Sequence, residues 1–453
     1  MAFGLAMLRV MTGRFLIKVA YAALALWPCA GLTQDLPAPV SDSDYRLVDL
    51  AKARLGQLLF YDPILSGNRN VACATCHHPK FGTSDGVSLS LGDGGIGLGP
   101  DRVADPENMP QERIPRNSPA LFNLGAHEFR SLFHDGRLEA DATRPGGLRT
   151  PMDADMVSGF ASALSAQTMF PVLSRDEMAG SHRENDVARA VRQGLITGPG
   201  GAWDLIGKRV AGVPDYADKF KAVYPHIKGP DDVAFTDISN AIAAFMGFEW
   251  RSDTAPFDAV LRGELTLDGL AQTGLDLFYG DAGCAACHSG PFLSDHSFHA
   301  MGAPQIGPGK SASFEDHDRD EGRFRVTGNL ADLYAFRTPS LRNVALTGPY
   351  GHAGGHRDLY AFVAAHAAPK GALNRFSRAQ VVLPVLDAQD FAVMEDPVQV
   401  AAILAAVKAP PVALSVADVA AIVAFLETLT DPVALTGRLG VPDQVPSGLP
   451  IPR

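Results

Sequence analysis

The chain has 453 residues and a formal net charge of −11, a size that suits two or three domains, each able to bury a core. With 46% hydrophobic and 20% charged residues, its composition is not that of a disordered chain. The acidic balance argues against nucleic acid, because a phosphate binder needs a basic face, and it suits a basic partner protein.

The N-terminus reads as a targeting segment. Arg9 and Arg14 precede the apolar run 19–27, and Thr33-Gln34-Asp35 follows it. The run is too short to span a bilayer, and the order of charged, apolar and small residues is that of a secretory signal. Residues 1–33 are therefore read as a signal peptide, cleaved between Ala30 and Gln34, and the mature chain as periplasmic. Cys29 follows Trp27-Pro28, a poor setting for a lipid anchor, and is expected to leave with the signal. No later run approaches 18 apolar residues, so no membrane span is expected.

The remaining elements follow in order. Leu47, Val48, Leu50, Ala51, Leu55, Leu58 and Leu59 recur at helical spacing. This predicted helix leads into Cys73-Ala-Thr-Cys76-His77. The Gly-rich run 91–99 lacks the preceding strand and the lysine of a nucleotide loop. Asp237 is placed to cap a helix over 238–250. A boundary is expected within 251–263. Leu267, Leu270, Leu275, Leu277 and Phe278 then predict a helix before Cys284-Ala-Ala-Cys287-His288. Ser415 with Asp418 resembles a capping box for a helix over 416–429. Strand-like alternation is scarce. The 45 glycines and 33 prolines exceed their usual combined share of about 12% and predict long loops. The fold class expected is mainly α.

The two C-x-x-C-H frames carry the chemistry. This is the attachment signature of a c-type haem: two thiols add to the two vinyl groups, and the adjacent histidine reaches the iron. A zinc ribbon would place its cysteine pairs within about 20 residues of each other, and two redox disulfides would leave both histidines unexplained. Two covalent haems are expected, held by Cys73, Cys76 and His77, and by Cys284, Cys287 and His288. Helix, haem motif, long loop and closing helix occur twice, as two tandem cytochrome c-like domains require. Residues 34–252 and 253–436 are read as those domains, and 437–453 as a tail.

Several stretches resemble bacterial dihaem cytochrome c peroxidases, the family that includes MauG. They are Leu58-Leu-Phe-Tyr-Asp-Pro-Ile-Leu-Ser66, Pro115-Arg-Asn-Ser-Pro119, Phe133-His-Asp-Gly-Arg137, and the run from Arg337-Thr-Pro-Ser-Leu-Arg-Asn343 to Pro349-Tyr-Gly-His352. The resemblance implies an N-terminal haem that meets hydrogen peroxide and a C-terminal haem that relays electrons from a small donor protein, a cytochrome c or a cupredoxin. It also leaves room for a homodimer. It implies a distal glutamine and glutamate ten residues apart, which Gln167 and Glu177 match. Peroxide has to lose a proton on binding, and its far oxygen has to gain one to leave as water. A carboxylate among Phe170, Val172 and Met178 would make that transfer, while Gln167 orients the peroxide.

Two departures from the family pattern matter. Where such peroxidases carry a blocking histidine, sixteen residues beyond the proximal one, this chain has Asp93. The N-terminal iron is therefore expected to be open at rest. The family's inter-haem tryptophan is His134 here, and an insertion within 138–165 follows it. At the C-terminal haem, the position fourteen residues past His352 is His366. It is the expected sixth ligand, with Met301 and Met394 as rivals. His296, His299, His317 and His356 are expected at the surface or behind the ligands. The resemblance further implies a calcium ion held by Asn117, Thr347 and Pro349, an oxygen set that suits that cation. Two other functions stay open: a MauG-like oxidase of a protein substrate, and a plain dihaem electron carrier.

Overall fold

The structure is a computed structural model that describes residues 35–155, 158–181, 184–310, 315 and 317–453. The expected signal peptide and Cys29 lie outside the described residues.

Helices dominate, joined by long loops, and the strands described are antiparallel stretches of two or three residues. The architecture rests on one packing motif used twice. Helix α1 (Leu50–Tyr61) crosses α2 (Phe235–Glu249), and α3 (Gly269–Tyr279) crosses α4 (Val416–Glu427). At each crossing a glycine lets backbones touch. A Cβ on Gly56 would sit 1.8 Å from the Ala241 carbonyl oxygen and 2.9 Å from Phe245 Cβ. A Cβ on Gly274 would sit 1.9 Å from the Ala421 oxygen and 2.9 Å from Phe425 Cβ. Aromatic rings close over both crossings. Phe60, Phe245 and Trp250 lie 5.1–5.3 Å apart by ring centroid, and Phe278 and Phe257 lie 5.1 and 5.2 Å from Phe425. Each such ring contributes about 1.5–3 kcal/mol by burial. Two separate hydrophobic cores grow from these crossings.

The helix ends correct the sequence reading in detail. Asp49 accepts the N–H groups of Ala51 and Lys52, so α1 starts after Leu47 and Val48, and Leu47 is fully exposed. Asp237 does not cap α2. It sits in the first turn and accepts the Ala234 N–H at 3.0 Å, because the helix begins at Phe235. Leu267 precedes α3, and Leu270 within it is exposed. The Ser415–Asp418 box forms as read, with reciprocal bonds of 2.8 and 3.1 Å, and the helix stops at Glu427.

The start of the insertion joins a small sheet, β1 (Ser131–Leu132), β2 (Leu138–Ala140) and β3 (Leu148–Arg149), with Glu139 opposite both Ser131 and Arg149. The chain's end returns to the first core. Glu249, almost fully buried, accepts the N–H groups of Arg438, Leu439 and Gly440 at 2.6–3.0 Å. Ser447 donates to Asp62 at 2.7 Å, and Val445 joins the core itself. Buried ion pairs tie distant segments together: Arg116 to Asp135 and Asp320, and Arg113 to Asp390, all at 2.7 Å. No helix among the described residues is long and apolar enough to cross a membrane.

Candidate active site

Each C-x-x-C-H frame follows its crossing helix and forms one turn, so that the N–H of His77 bonds the Cys73 carbonyl and that of His288 bonds the Cys284 carbonyl, both at 3.0 Å. The ring of His77 donates from Nδ1 to the Thr83 carbonyl at 3.0 Å, and that of His288 to the Leu293 carbonyl at 3.1 Å. Thr83 and Leu293 both hold positive φ, 62° and 52°, which turns those carbonyls toward the rings. One further bond repeats: the Ser84 hydroxyl donates to the Ser118 carbonyl and the Ser294 hydroxyl to the Thr338 carbonyl, each at 2.7 Å. Tying Nδ1 fixes the tautomer and leaves the Nε2 lone pair for a metal.

The donor set fits two c-type haems. All four described cysteines are unpaired. Burial pushes the Cys73 and Cys76 thiols up to about 12, the reverse of a reactive redox pair. Cys287, Asp295 and His299 also lie close enough to share a metal ion. That grouping would spend a sulfur the attachment motif uses, and His299 already pairs with Asp295 at 2.9 Å.

Beyond the first motif, Gln167 ends the short helix Ala163–Gln167, which Ser162 caps. Glu177 lies in the wide turn Arg175–Ala179. Val172 and Met178 are buried in the first core, with Phe170 packed against it. Glu177 is half-buried. Desolvation raises its carboxyl, Lys310 and Arg137 oppose that, and Asp176 adds to it. Its charge also reaches Cys76, which puts it beside the first attachment motif. The loop carrying Asp93 packs on this turn: a Cβ on Gly92 would meet the Asp176 oxygen at 2.1 Å and Glu177 Cα at 2.7 Å. Asp93 itself accepts from the side chains of Asn68 at 3.1 Å and Asn108 at 3.3 Å.

Beyond the second motif stands another imidazole. His366 lies in the last turn of the helix Leu359–Ala367, its ring 4.5 Å from Phe362. Burial drives it down to about 4, and the charges of His288 and His356 add to that. His366 is thus brought to His288. Met394 packs in a separate small core with Leu373, Val393 and Ile403, and Met301 precedes Gly302, which lies against Val407.

Between the two motifs, His134 Nε2 donates to the Asn117 carbonyl at 3.0 Å. Burial, with Arg116 next, pushes its ring down to about 3, so it is neutral. The Asn117 side-chain nitrogen donates to the Val87 and Ser88 carbonyls at 2.9 and 3.3 Å, and its backbone N–H bonds the His352 carbonyl at 2.8 Å. His352 stacks on Phe336 at 3.7 Å. Thr347 spends its hydroxyl on the Val344 carbonyl.

Sequence reasoning did not find Ser84, Ser118 and Ser294, nor Lys310. Ser84 and Ser294 had a visible signal, since Phe81-Gly-Thr-Ser84-Asp85 and Phe292-Leu-Ser294-Asp295 follow the two motifs as a degenerate repeat. Lys310 had none.

A model of the di-haem cytochrome c peroxidase family matches residues 50–266. The chain belongs to that family of oxidoreductases. The family implies two haems. The chain is 31% identical over 305 residues to the methylamine utilization protein MauG of Methylorubrum extorquens, covering 67% of this chain and 65% of MauG. It is 28% identical over 326 residues to cytochrome c551 peroxidase of Pseudomonas aeruginosa, covering 72% and 74%. The crystal structure of a MauG-like protein associated with microbial copper homeostasis matches 90% of this chain and 97% of its own, with a TM-score of 0.54 and 26% identity.

Proposed function

We propose that this chain is an exported dihaem peroxidase that reduces hydrogen peroxide to water with electrons from a small donor protein. Both haems are covalently attached, one in each of the segments 34–252 and 253–436. His77 and His288 would hold the two irons, and His366 would serve the second haem as a further ligand. The observation that carries this reading is an asymmetry between two otherwise matched halves. Both present an imidazole with its Nδ1 tied to a carbonyl. The first sets a desolvated carboxyl, Glu177, beside its motif, and the second sets another imidazole, His366, toward its histidine. An open site with a base suits chemistry on a small molecule; a site closed by two imidazoles suits electron relay.

The bound haems supply the redox chemistry. The chain's own residues manage position and protons. Glu177 accepts a proton from peroxide and returns it to the departing oxygen; two electrons and two protons in all convert one peroxide to two waters. Gln167 orients the peroxide through its amide. Phe170, Val172 and Met178 limit water around the carboxyl, which favours its protonated form once the proton is taken. Asp93, held by Asn68 and Asn108, leaves the first site without a blocking imidazole. A calcium ion would be held by the Asn117 side-chain oxygen and the Thr347 and Pro349 carbonyls. In support, the Asn117 nitrogen is committed to Val87 and Ser88.

Glu177→Gln keeps the shape and removes the proton carrier. Peroxide turnover with a reduced small donor should fall by about 10²- to 10⁴-fold, with haem content unchanged, and Gln167→Ala should lose less. Full activity in Glu177→Gln would leave the carboxyl without a catalytic role. The second reading, oxidation of a protein substrate, draws on the likeness to MauG. It requires that wild-type enzyme turn over peroxide poorly with every small donor tried.

A further inference from the structure

The hydrogen bonds around the two attachment turns match until the hydroxyls of Ser118 and Thr338 are compared. Each motif histidine gives its Nδ1 proton to a carbonyl, Thr83 at 3.0 Å and Leu293 at 3.1 Å. Ser118 and Thr338 hold equivalent places, each just before a proline, and their own carbonyls accept from Ser84 and Ser294 at 2.7 Å. Their side chains then diverge. The Ser118 Oγ lies 3.1 Å from His77 Nδ1 and 2.6 Å from the Cys76 carbonyl. The hydroxyl proton goes to that carbonyl, which leaves the Oγ lone pairs to accept from the ring. The His77 N–H therefore has the hydroxyl as well as the Thr83 carbonyl to bond. The Thr338 hydroxyl instead leans on the Ser297 carbonyl at 3.4 Å. The strand pair of Phe298–His299 with Phe336–Arg337 ends just before Thr338 and holds the Thr338 N–H on that same carbonyl at 2.9 Å. Among the described residues no side chain bonds His288 Nδ1.

The neighbours of Ser118 fix where its hydroxyl points. Asn117 is tied through its amide nitrogen to Val87 and Ser88, through its N–H to the His352 carbonyl at 2.8 Å, and through its carbonyl to His134 at 3.0 Å. The bond to Cys76 polarises the hydroxyl and makes its oxygen a better acceptor. An imidazole that gives away more of its N–H proton is a more basic ligand through its other nitrogen. A more strongly donating axial ligand favours an oxidised iron and the cleavage of an O–O bond. The extra acceptor stands in the half that carries Glu177. It is missing from the half that carries His366, where electron relay needs no such push. We propose that Ser118 is a positioning residue: by accepting from Nδ1 it makes His77 the more strongly donating of the two motif imidazoles and so suits the first haem to peroxide. This rests on the reading of His77 as the axial ligand of an open first haem.

The test is the resonance Raman spectrum of the reduced holoenzyme, which reads the iron–histidine stretch of an open-sided haem. Wild type should show one such stretch, from the first haem. Ser118→Ala should move it to lower frequency, and Ser118→Thr, which keeps the hydroxyl, should return it toward the wild-type position. Changes to an outer-shell partner cost about 10- to 100-fold. With the Thr83 carbonyl still in place the lower end is expected, as a fall of about tenfold in peroxide turnover. The midpoint potential of the first haem should rise by about 59 mV, the one-electron equivalent of tenfold. Thr338→Val should leave the potential of the second haem where it is. Ser118→Gly serves in place of Ser118→Ala if the latter fails to load both haems. A serine that only braces the Cys76 carbonyl would lower the thermal midpoint on substitution and leave stretch and potential unmoved; that result overturns the proposal. So does a second-haem shift in Thr338→Val as large as the first-haem shift in Ser118→Ala. A reduced wild type with no iron–histidine stretch at all would overturn the earlier reading of an open first haem held by His77, and the proposal with it.

Discussion

Substituting Gly56 by alanine tests the helix crossing that underlies each half. The added Cβ would stand 1.8 Å from the Ala241 carbonyl oxygen, whereas carbon and oxygen rest at about 3.3 Å or more. α1 and α2 would have to part by up to about 1.5 Å along that line. A gap of 0.5–1 Å already forfeits about a quarter to a half of the dispersion between facing atoms. The rings facing each other here, Phe60, Phe245 and Trp250, are at most 1% exposed. Overpacking typically costs about 1–3 kcal/mol and occasionally more, while alanine returns about 1 kcal/mol of helix propensity. With the clash on rigid backbone, the cost should lie at or beyond the top of that range, for a net loss of about 2 kcal/mol or more. Gly274→Ala should behave alike, since its Cβ would meet Ala421 at 1.9 Å. Gly207→Ala is the control: its nearest contact is the Val233 oxygen at 3.2 Å, so its stability should stay within about 1 kcal/mol of wild type. Equilibrium urea unfolding followed by far-ultraviolet circular dichroism reads all three. A Gly56→Ala protein as stable as the Gly207→Ala control would refute the reasoning.

His366→Ala should convert a low-spin signal in the electron paramagnetic resonance spectrum of the oxidised protein to a high-spin one, with two haems per chain retained by pyridine haemochrome; an unchanged spectrum would return Met301 or Met394 as the ligand. Asp135 is held down to about 2 because Arg116 and Arg137 outweigh its burial. A folded value below the unfolded 3.8 stabilises above pH 3.8 and is lost as pH falls toward 2. At about 1.4 kcal/mol per unit, acid unfolding should therefore steepen below pH 4. Arg116→Met, which strands Asp320 and leaves Asp135 to Arg137 alone, should cost about 3–5 kcal/mol at pH 7, measured by the same urea titration. Ending the chain after Gly437 removes three N–H donors from buried Glu249. It should destabilise the fold by at least about 1–3 kcal/mol, visible as a lower thermal midpoint and faster proteolysis.

The two C-x-x-C-H turns were legible because their spacing is strictly local: two thiols and an imidazole lie within one turn, whatever surrounds them. The Ser415–Asp418 box was legible for the same reason, since its bonds span three residues. Helix starts governed by competing local caps were read less well, as at Asp49, which excludes Leu47, and at Asp237, which lies inside the turn it was expected to begin. Similarity to a family carried Gln167, Glu177 and His366, whose roles no local pattern marks. Only the tertiary structure decided what sits beside them. Gly56 and Gly274 are ordinary helix-weakening residues until Ala241 and Ala421 are seen pressed against them. Asp93 is a loop carboxylate until Asn68 and Asn108 are seen to hold it. The tail's return to Glu249 likewise leaves no mark along the chain. Desolvation and Coulomb forces act through space, and the sequence orders its residues along one dimension only.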